Sequence, residues 1–382
     1  MTAAVAAPAA GAEASARRMA PRDLREVPEV GRFLTELGLG AFIPESVHGL
    51  VGRNDVWAGT TTSGKPVLVK KLSGDPIHTA ARMRRLLSYE RLIRARAAWT
   101  LDAPGCFGWD VQERLIAFEY LQGATSGAEL MVAERFDDTV AETMGAGLAR
   151  LHDTPHQTEW GLEALPPPLP SLELLEGLPE AFFFNCSAAE LQAWSLLQRD
   201  AELRGAIRSL VARERGAARV PAHCDLRVDQ LLLHDGRLYL TDWEEFRLAD
   251  GARDIGSFAG EWLYRAMLDI VTSRGDERKR YVQLVAADIP SRGVEKLERL
   301  RPKVQAFWRG YRRARQAVDD ELAVRATAFA GWHLLDRLLA GAANTSRLQP
   351  IQRAAAGVGR TALLTPERFV AVLGLDDGEP RS

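Results

Sequence analysis

The chain has 382 residues, 46% of them hydrophobic and 26% charged, with a formal net charge of -2. This is the balance of a soluble globular protein, long enough for one two-lobed enzyme or two ordinary domains. Near-neutrality excludes a global pull toward nucleic acid or anionic lipid, and no run approaches the ~20 apolar residues a membrane span needs.

Three cysteines, Cys106, Cys186 and Cys224, are odd in number and scattered. They form neither a disulfide framework nor a metal-ligand spacing, which points to a reducing cytoplasm. The opening "MTAAVAAPAAGAEASARRMAPRDL" places its arginines after the small residues, unlike a secretory signal, and predicts a disordered tail over residues 1–25.

Apolar residues at Val30, Phe33, Leu34 and Leu37 then predict a short amphipathic helix. "DVWAGTTT" and "PVLVKKL" read as two strands joined by a hairpin at Ser63-Gly64-Lys65. A basic helix follows, with Met83, Leu86, Leu87 and Leu92 as its apolar positions, and "CFGWDVQERLIAFEYLQG" supplies two more strands. This strand-strand-helix-strand-strand unit covers about residues 45 to 121. Beyond it the periodicity turns helical, with Val140, Met144, Leu148 and Leu151 on one face. "LPPPLP" at 165–170 reads as a rigid surface connection, with a polyproline ligand as the alternative. Leu322, Ala326, Phe329, Trp332, Leu335 and Leu339 recur at helical spacing near the end and read as core.

The chemistry concentrates in "AHCDLRVDQLLLHDGRLYLTDWEEF", residues 222–246. Phosphoryl transfer needs a held triphosphate, a metal to neutralise its oxygens and a base for the acceptor's proton. Asp225, on a loop after a β-like segment, suits the base, with His223 orienting that loop. Asp242 ends the second strand of a hairpin marked by Asp235-Gly236 and suits a magnesium ligand. Lys70, closing the strand "VLVK", suits the phosphate-binding lysine. Lys71 has the opposite parity and is expected to face outward. Glu90 on the following helix is the expected partner of Lys70.

The nucleotide loop is expected at "GLVGRND", where Gly52 is one of only two glycines and Arg53 or Asn54 contacts phosphate. The adenine edge is expected on the backbone of Glu119 and Leu121. Five residues after Asp225, where such strips carry Asn, this chain carries Gln230. Its amide oxygen keeps the chemistry of a metal ligand on a side chain one methylene longer.

Together these residues resemble the aminoglycoside phosphotransferase and protein-kinase-like superfamily over roughly residues 45 to 345. "GLARLHDTP" and "DIGSFAGEW" also match, the latter with Asp254, which is expected to tie the catalytic loop together. More narrowly, "GRNDVWAGTTTSGKPVLVKKL", "LPPPLPSLELLEGLP" and the catalytic strip with its continuation through "DIGSFAGEWLYRAMLDI" resemble the kinase subunit of class V lanthipeptide synthetases. Gln in place of Asn is ordinary in that subfamily, whereas Cys224 stands where Gly is usual.

The resemblance implies an α+β, two-lobed protein-kinase-like fold. A small β-rich nucleotide lobe over 26–121 would precede a large helical lobe over 122–382. It implies ATP and Mg2+ as cofactors and a ribosomal precursor peptide as substrate, phosphorylated on Ser and Thr. Separate lyase and cyclase proteins would complete dehydration and ring formation, and neither nucleic acid nor membrane is a partner. Two rivals stand beside this reading: a small-molecule kinase of the aminoglycoside or choline type, and a non-catalytic module that binds the precursor. An acidic acceptor pocket would favour the former; the acidic stretch "ELMVAERFDD" reads rather as a helix-linker face.

Overall fold

The computed structural model describes residues 21–94, 101–155, 160–167, 171–276, 288–315, 319–343 and 345–376. Most of the expected tail and the end of the proline-rich connection lie outside this range.

Helix α1 (Pro28–Glu36) leads into strands β1 (His48–Leu50), β2 (Asp55–Thr60) and β3 (Pro66–Lys71). Helix α2 (Pro76–Arg94) comes next, then β4 (Cys106–Asp110) and β5 (Leu115–Glu119). The five strands form one antiparallel sheet in the order β1-β2-β3-β5-β4. Alternation along β3 decides what each face carries. Val67 and Val69 join Trp57, Leu115 and Ala117 in a core closed by Val30, Phe33 and Leu34 of α1. Lys71 shares that face. It is therefore buried rather than solvated, and its Nζ is bound by Glu29 of α1 at 2.8 Å and the Glu113 carbonyl at 3.0 Å. Lys70 points from the other face.

Residues 21–25 are part of this lobe rather than of a tail. Arg22 pairs with Asp55 at 2.9 Å, and its carbonyl accepts from the Trp57 indole at 2.9 Å.

Asp75 caps α2 by accepting from the Ile77 and His78 amides, and Pro76 opens the helix where no amide is needed. The helix belongs to the first lobe in sequence, but Met83, Leu86, Leu87, Tyr89 and Leu92 are buried in the core of the second. The division at residue 121 is thus a division of the chain more than of the packing.

The second lobe begins with β6 (Thr125–Ser126), α3 (Gly127–Val132) and α4 (Asp138–His152), followed by α5 (Glu180–Asn185), α6 (Ala188–Arg199) and α7 (Ala201–Gly216). Ser126 and Ser187 each form a reciprocal capping box with the Glu three residues on. Strands β7 (Arg219–Ala222), β8 (Leu231–His234), β9 (Arg237–Leu240) and β10 (Arg247–Asp250) carry the catalytic strip. Helices α8 (Ala252–Asp269), α9 (Ile289–Ala314), α10 (Leu322–Ala342), α11 (Pro350–Leu364) and α12 (Pro366–Leu373) complete the lobe. Gly256 and Gly260 let α8 approach α10: a Cβ on Gly256 would meet the Ala326 carbonyl at 2.5 Å. The expected stripe on α10 is core, with Leu322, Ala326, Phe329 and Leu335 buried and Trp332 and Leu339 packed at its edge. Among the described residues no helix is long and apolar enough to cross a membrane.

Candidate active site

Antiparallel pairing of β7 with β10 and of β8 with β9 brings the two ends of the catalytic strip together. The turn between β8 and β9 is built by Asp235 and Gly236, both at positive φ (48° and 75°), the backbone a two-residue hairpin requires.

The loop after β7 is pinned from below by Asp254. Its two carboxylate oxygens accept from the amides of His223 and Cys224, each at 2.7 Å. His152 at the end of α4 adds a third contact, Nε2 to Asp254 Oδ2 at 3.2 Å, while its Nδ1 meets the Tyr311 hydroxyl at 2.9 Å. These hydrogen bonds and His152 hold the Asp254 carboxyl below its ordinary range despite full burial. His223 Nε2 donates to the Thr241 carbonyl at 2.9 Å, and its Nδ1 accepts from the Asp225 amide at 3.4 Å. The imidazole thus spans the loops that carry Asp225 and Asp242, and burial keeps it neutral by lowering its pKa. Cys224 has φ 66°, a left-handed backbone that explains why glycine suits this position. Burial raises its thiol pKa well above the ordinary value, so the thiol stays protonated and unreactive.

Asp225, the expected base, is partly exposed at the mouth of the loop. Desolvation pushes its carboxyl up to about 7; Arg227 and Arg337 oppose that rise, and Asp242 and Glu245 add to it. A carboxylate poised near neutrality is well matched to accepting a hydroxyl proton.

Asp242 follows β9 in a left-handed conformation (φ 66°, ψ 53°) that turns its carboxylate toward Lys70, whose Nζ lies 2.6 Å from Oδ1. Lys70 is bound as well by Glu244. Glu90, the expected partner, is not there. It is buried on α2, 4.0 Å from Arg94 of its own helix, and desolvation lifts its carboxyl to about 7. The helix turns Glu90 away from the cleft and presents Arg82 and Arg85 instead.

Glu244 is the residue that sequence reasoning missed. Its Oε1 accepts from the Asn54 amide at 2.6 Å and from Lys70; its Oε2 takes Arg53 at 3.0 Å and Arg82 at 2.9 Å. Those cations hold its carboxyl far below the ordinary range. Arg85 clasps the Glu244 carbonyl at 2.6 Å and reaches Glu163 and Glu245. Trp243 stacks on Tyr89 of α2 with centroids 3.7 Å apart. Together these contacts lock α2 to the loop after β9.

The residues expected to contact nucleotide have these surroundings. The Asn54 amide is buried between Glu244, the Ser73 amide at 3.1 Å and Arg82 at 3.1 Å, so it anchors its loop instead of facing phosphate. Arg53 keeps an exposed stem while its head sits on Glu244. Gly52 has no neighbour that a Cβ would strike and no positive φ, so the loop is not a tight glycine cradle. The Glu119 amide donates to the Gly105 carbonyl at 2.7 Å, and the Leu121 carbonyl accepts from Ala124 at 3.1 Å. Glu119 closes β5 and Leu121 follows it, where the chain passes from the first lobe to the second.

Gln230 departs from the metal-ligand expectation. Its extra methylene lets the amide fold back, so that Oε1 accepts from the Arg227 amide at 3.0 Å. Nε2 is directed at Asp225 Oδ2, 3.4 Å away. The side chain thus bridges the Arg227 amide and the Asp225 carboxylate.

Among the described residues no three metal-ligating side chains gather into a ready-made cage. A magnesium held by one or two carboxylates plus substrate phosphates needs none. Asp242, with its side chain about one-third exposed, fits that donor set.

Asp225, Lys70 and the strand-end carboxylate of Asp242 lie between a β lobe and a helical lobe, the arrangement of a kinase-like fold. The profile of the phosphotransferase enzyme family, APH, matches residues 51–277, and the chain belongs to that family. Three solved structures share the fold. Choline kinase LicA from Streptococcus pneumoniae is 16% identical, with a TM-score of 0.53 over 89% of this chain and 99% of that one. Amicoumacin kinase hAmiN, in complex with AMP-PNP, Ca2+ and Ami, is 15% identical, with a TM-score of 0.52 over 90% and 96%. The streptomycin-ATP-APH(2")-IIa ternary complex is 12% identical, with a TM-score of 0.51 over 90% and 99%. No curated protein is significantly similar to the chain in sequence.

Proposed function

We propose that this phosphotransferase uses ATP and Mg2+ to phosphorylate Ser and Thr hydroxyls of a ribosomal precursor peptide, the first half of a dehydration. Phosphate is a leaving group for β-elimination where hydroxide is not, so a separate lyase would complete the step. The observation that carries the choice of acceptor is the charge around the base. Two guanidinium groups, Arg227 and Arg337, act on Asp225 together with two carboxylates, Asp242 and Glu245. In this reading Asp242 is taken up by metal, and the guanidinium groups suit acidic side chains of a peptide.

In this reading Asp225 takes the acceptor proton, oriented by Gln230 and by the loop that Asp254 pins. Lys70 binds the triphosphate. Asp242 would hold the magnesium, which when bound neutralises charge on the transferred phosphoryl oxygens.

The test is a transfer assay with ATP, Mg2+ and a Ser/Thr-rich precursor peptide encoded beside the enzyme, read by mass spectrometry. Choline and streptomycin serve as competing acceptors. Mono- or multiphosphorylated peptide is expected. Transfer to choline or streptomycin with untouched peptide overturns the peptide reading and leaves the phosphotransferase in place.

A further inference from the structure

Kinase-like chemistry requires that the phosphate-binding lysine be held while the strand-end carboxylate is busy with metal. In this chain the helix carboxylate Glu90 does not perform that task, and Asp242 cannot perform both. We propose that Glu244 is the residue that positions Lys70 toward the nucleotide phosphates, a role separate from metal binding at Asp242. The inference rests on the phosphotransferase chemistry of the family and not on the identity of the acceptor.

Three features of the geometry carry it. First, Glu244 is saturated. An ionised carboxylate has about four acceptor positions, and here Asn54 and Lys70 occupy one oxygen while Arg53 and Arg82 occupy the other. No position is left for a cation, whereas Asp242 is the more open carboxylate of the two. Second, Glu244 is rigid. Its backbone carbonyl is held by Arg85, its neighbour Trp243 is stacked on Tyr89, and the carboxylate is almost fully buried. A buried anion surrounded by fixed donors makes a stable anchor for an ammonium on a flexible four-carbon stem. Third, its donors come from three separate elements. Arg53 and Asn54 come from the β1–β2 loop, Lys70 from β3 and Arg82 from α2. One carboxylate therefore sets lysine, loop and helix relative to one another.

Binding of MgATP and of adenosine to the wild type, Glu244→Gln, Lys70→Met and the double variant, titrated over a range of Mg2+, tests this. Glu244→Gln is expected to weaken MgATP by about 10-fold while adenosine changes by less than about 2-fold, because the loss is confined to the phosphates. In the Lys70→Met background the second substitution is expected to add less than about 2-fold, the signature of a residue acting through its partner. Three outcomes overturn the proposal: adenosine binding falling in step with MgATP, an additive loss in the double variant, or a raised Mg2+ requirement. Should Glu244→Gln not fold, Glu244→Asp keeps the charge, withdraws it by one methylene and makes the same comparison.

Discussion

Asp254 and Cys224 are joined by a 2.7 Å hydrogen bond from the Cys224 amide to a carboxylate oxygen 30 residues downstream. That bond holds Cys224 in the left-handed region, next to the base. Cys224→Gly is expected to keep transfer activity, since glycine adopts this backbone freely. Cys224→Val puts a β-branched side chain at positive φ and is expected to lose about 1–3 kcal/mol of stability together with activity. Urea unfolding and transfer rates of the two variants check this.

Asp254→Ala removes the acceptor for the buried amides of His223 and Cys224 at once. Each unpaired buried donor costs about 1–3 kcal/mol. A loss of about 2–6 kcal/mol is expected, with activity falling although Asp254 is fully buried. Calorimetry and single-turnover rates measure the two effects.

Asp225 must be ionised to accept a proton, and its carboxyl is lifted to about 7. The apparent kcat/KM for the acceptor is expected to rise about tenfold per pH unit below that value and to level off above it. Asp225→Asn should cut transfer by at least ~100-fold while nucleotide binding stays near wild type. A pH–rate profile without a limb near neutrality contradicts the assignment.

Gln230 lies against both the base and the Arg227 amide. Gln230→Glu preserves the acceptor for Arg227 but sets a second carboxylate beside Asp225. Like charge raises the pKa, so the rising limb of the pH profile is expected to move to higher pH with the magnesium requirement unchanged. If instead the variant needs less magnesium, the side chain is a metal ligand.

Glu90 is buried with its carboxyl raised to about 7, and among the described residues its charged partner is Arg94 at 4.0 Å. Raised above its unfolded value, it contributes stability that is present at acid pH. That contribution is lost as the pH climbs from about 4 through about 7. Glu90→Gln is therefore expected to stabilise the protein at pH 8 by about 1–3 kcal/mol and to leave MgATP binding unchanged. Weakened MgATP binding would restore Glu90 as a partner of Lys70.

Local pattern alone carried much of the fold. The hairpin at Ser63-Gly64-Lys65, the Asp235-Gly236 turn and the apolar period of α4 and α10 depend on neighbours a few residues apart, so composition and spacing revealed them. The same holds for the order His223, Asp225, Asp242 along the strip, and for the opposite parity of Lys70 and Lys71. What parity could not tell was which face would be covered: α1 closes over the Lys71 side, so that ammonium is buried on Glu29.

Only the tertiary structure decided the partners of the charged groups. Glu244 meets Arg53 and Lys70 across more than 170 residues of chain. Such a contact depends on how α2 is rotated about its axis and on how the lobes approach. A rotation of one residue, 100° on an α-helix, exchanges Glu90 for its neighbours, and no apolar period fixes the register closely enough on a helix whose two sides pack on different lobes. Packing did so, by stacking Tyr89 on Trp243 and driving Arg82 and Arg85 onto the loop after β9. The residue types that phosphoryl transfer needs are written in the chain, but which carboxylate holds the lysine was settled by burial, because a buried charge persists only where the fold brings it an opposite one.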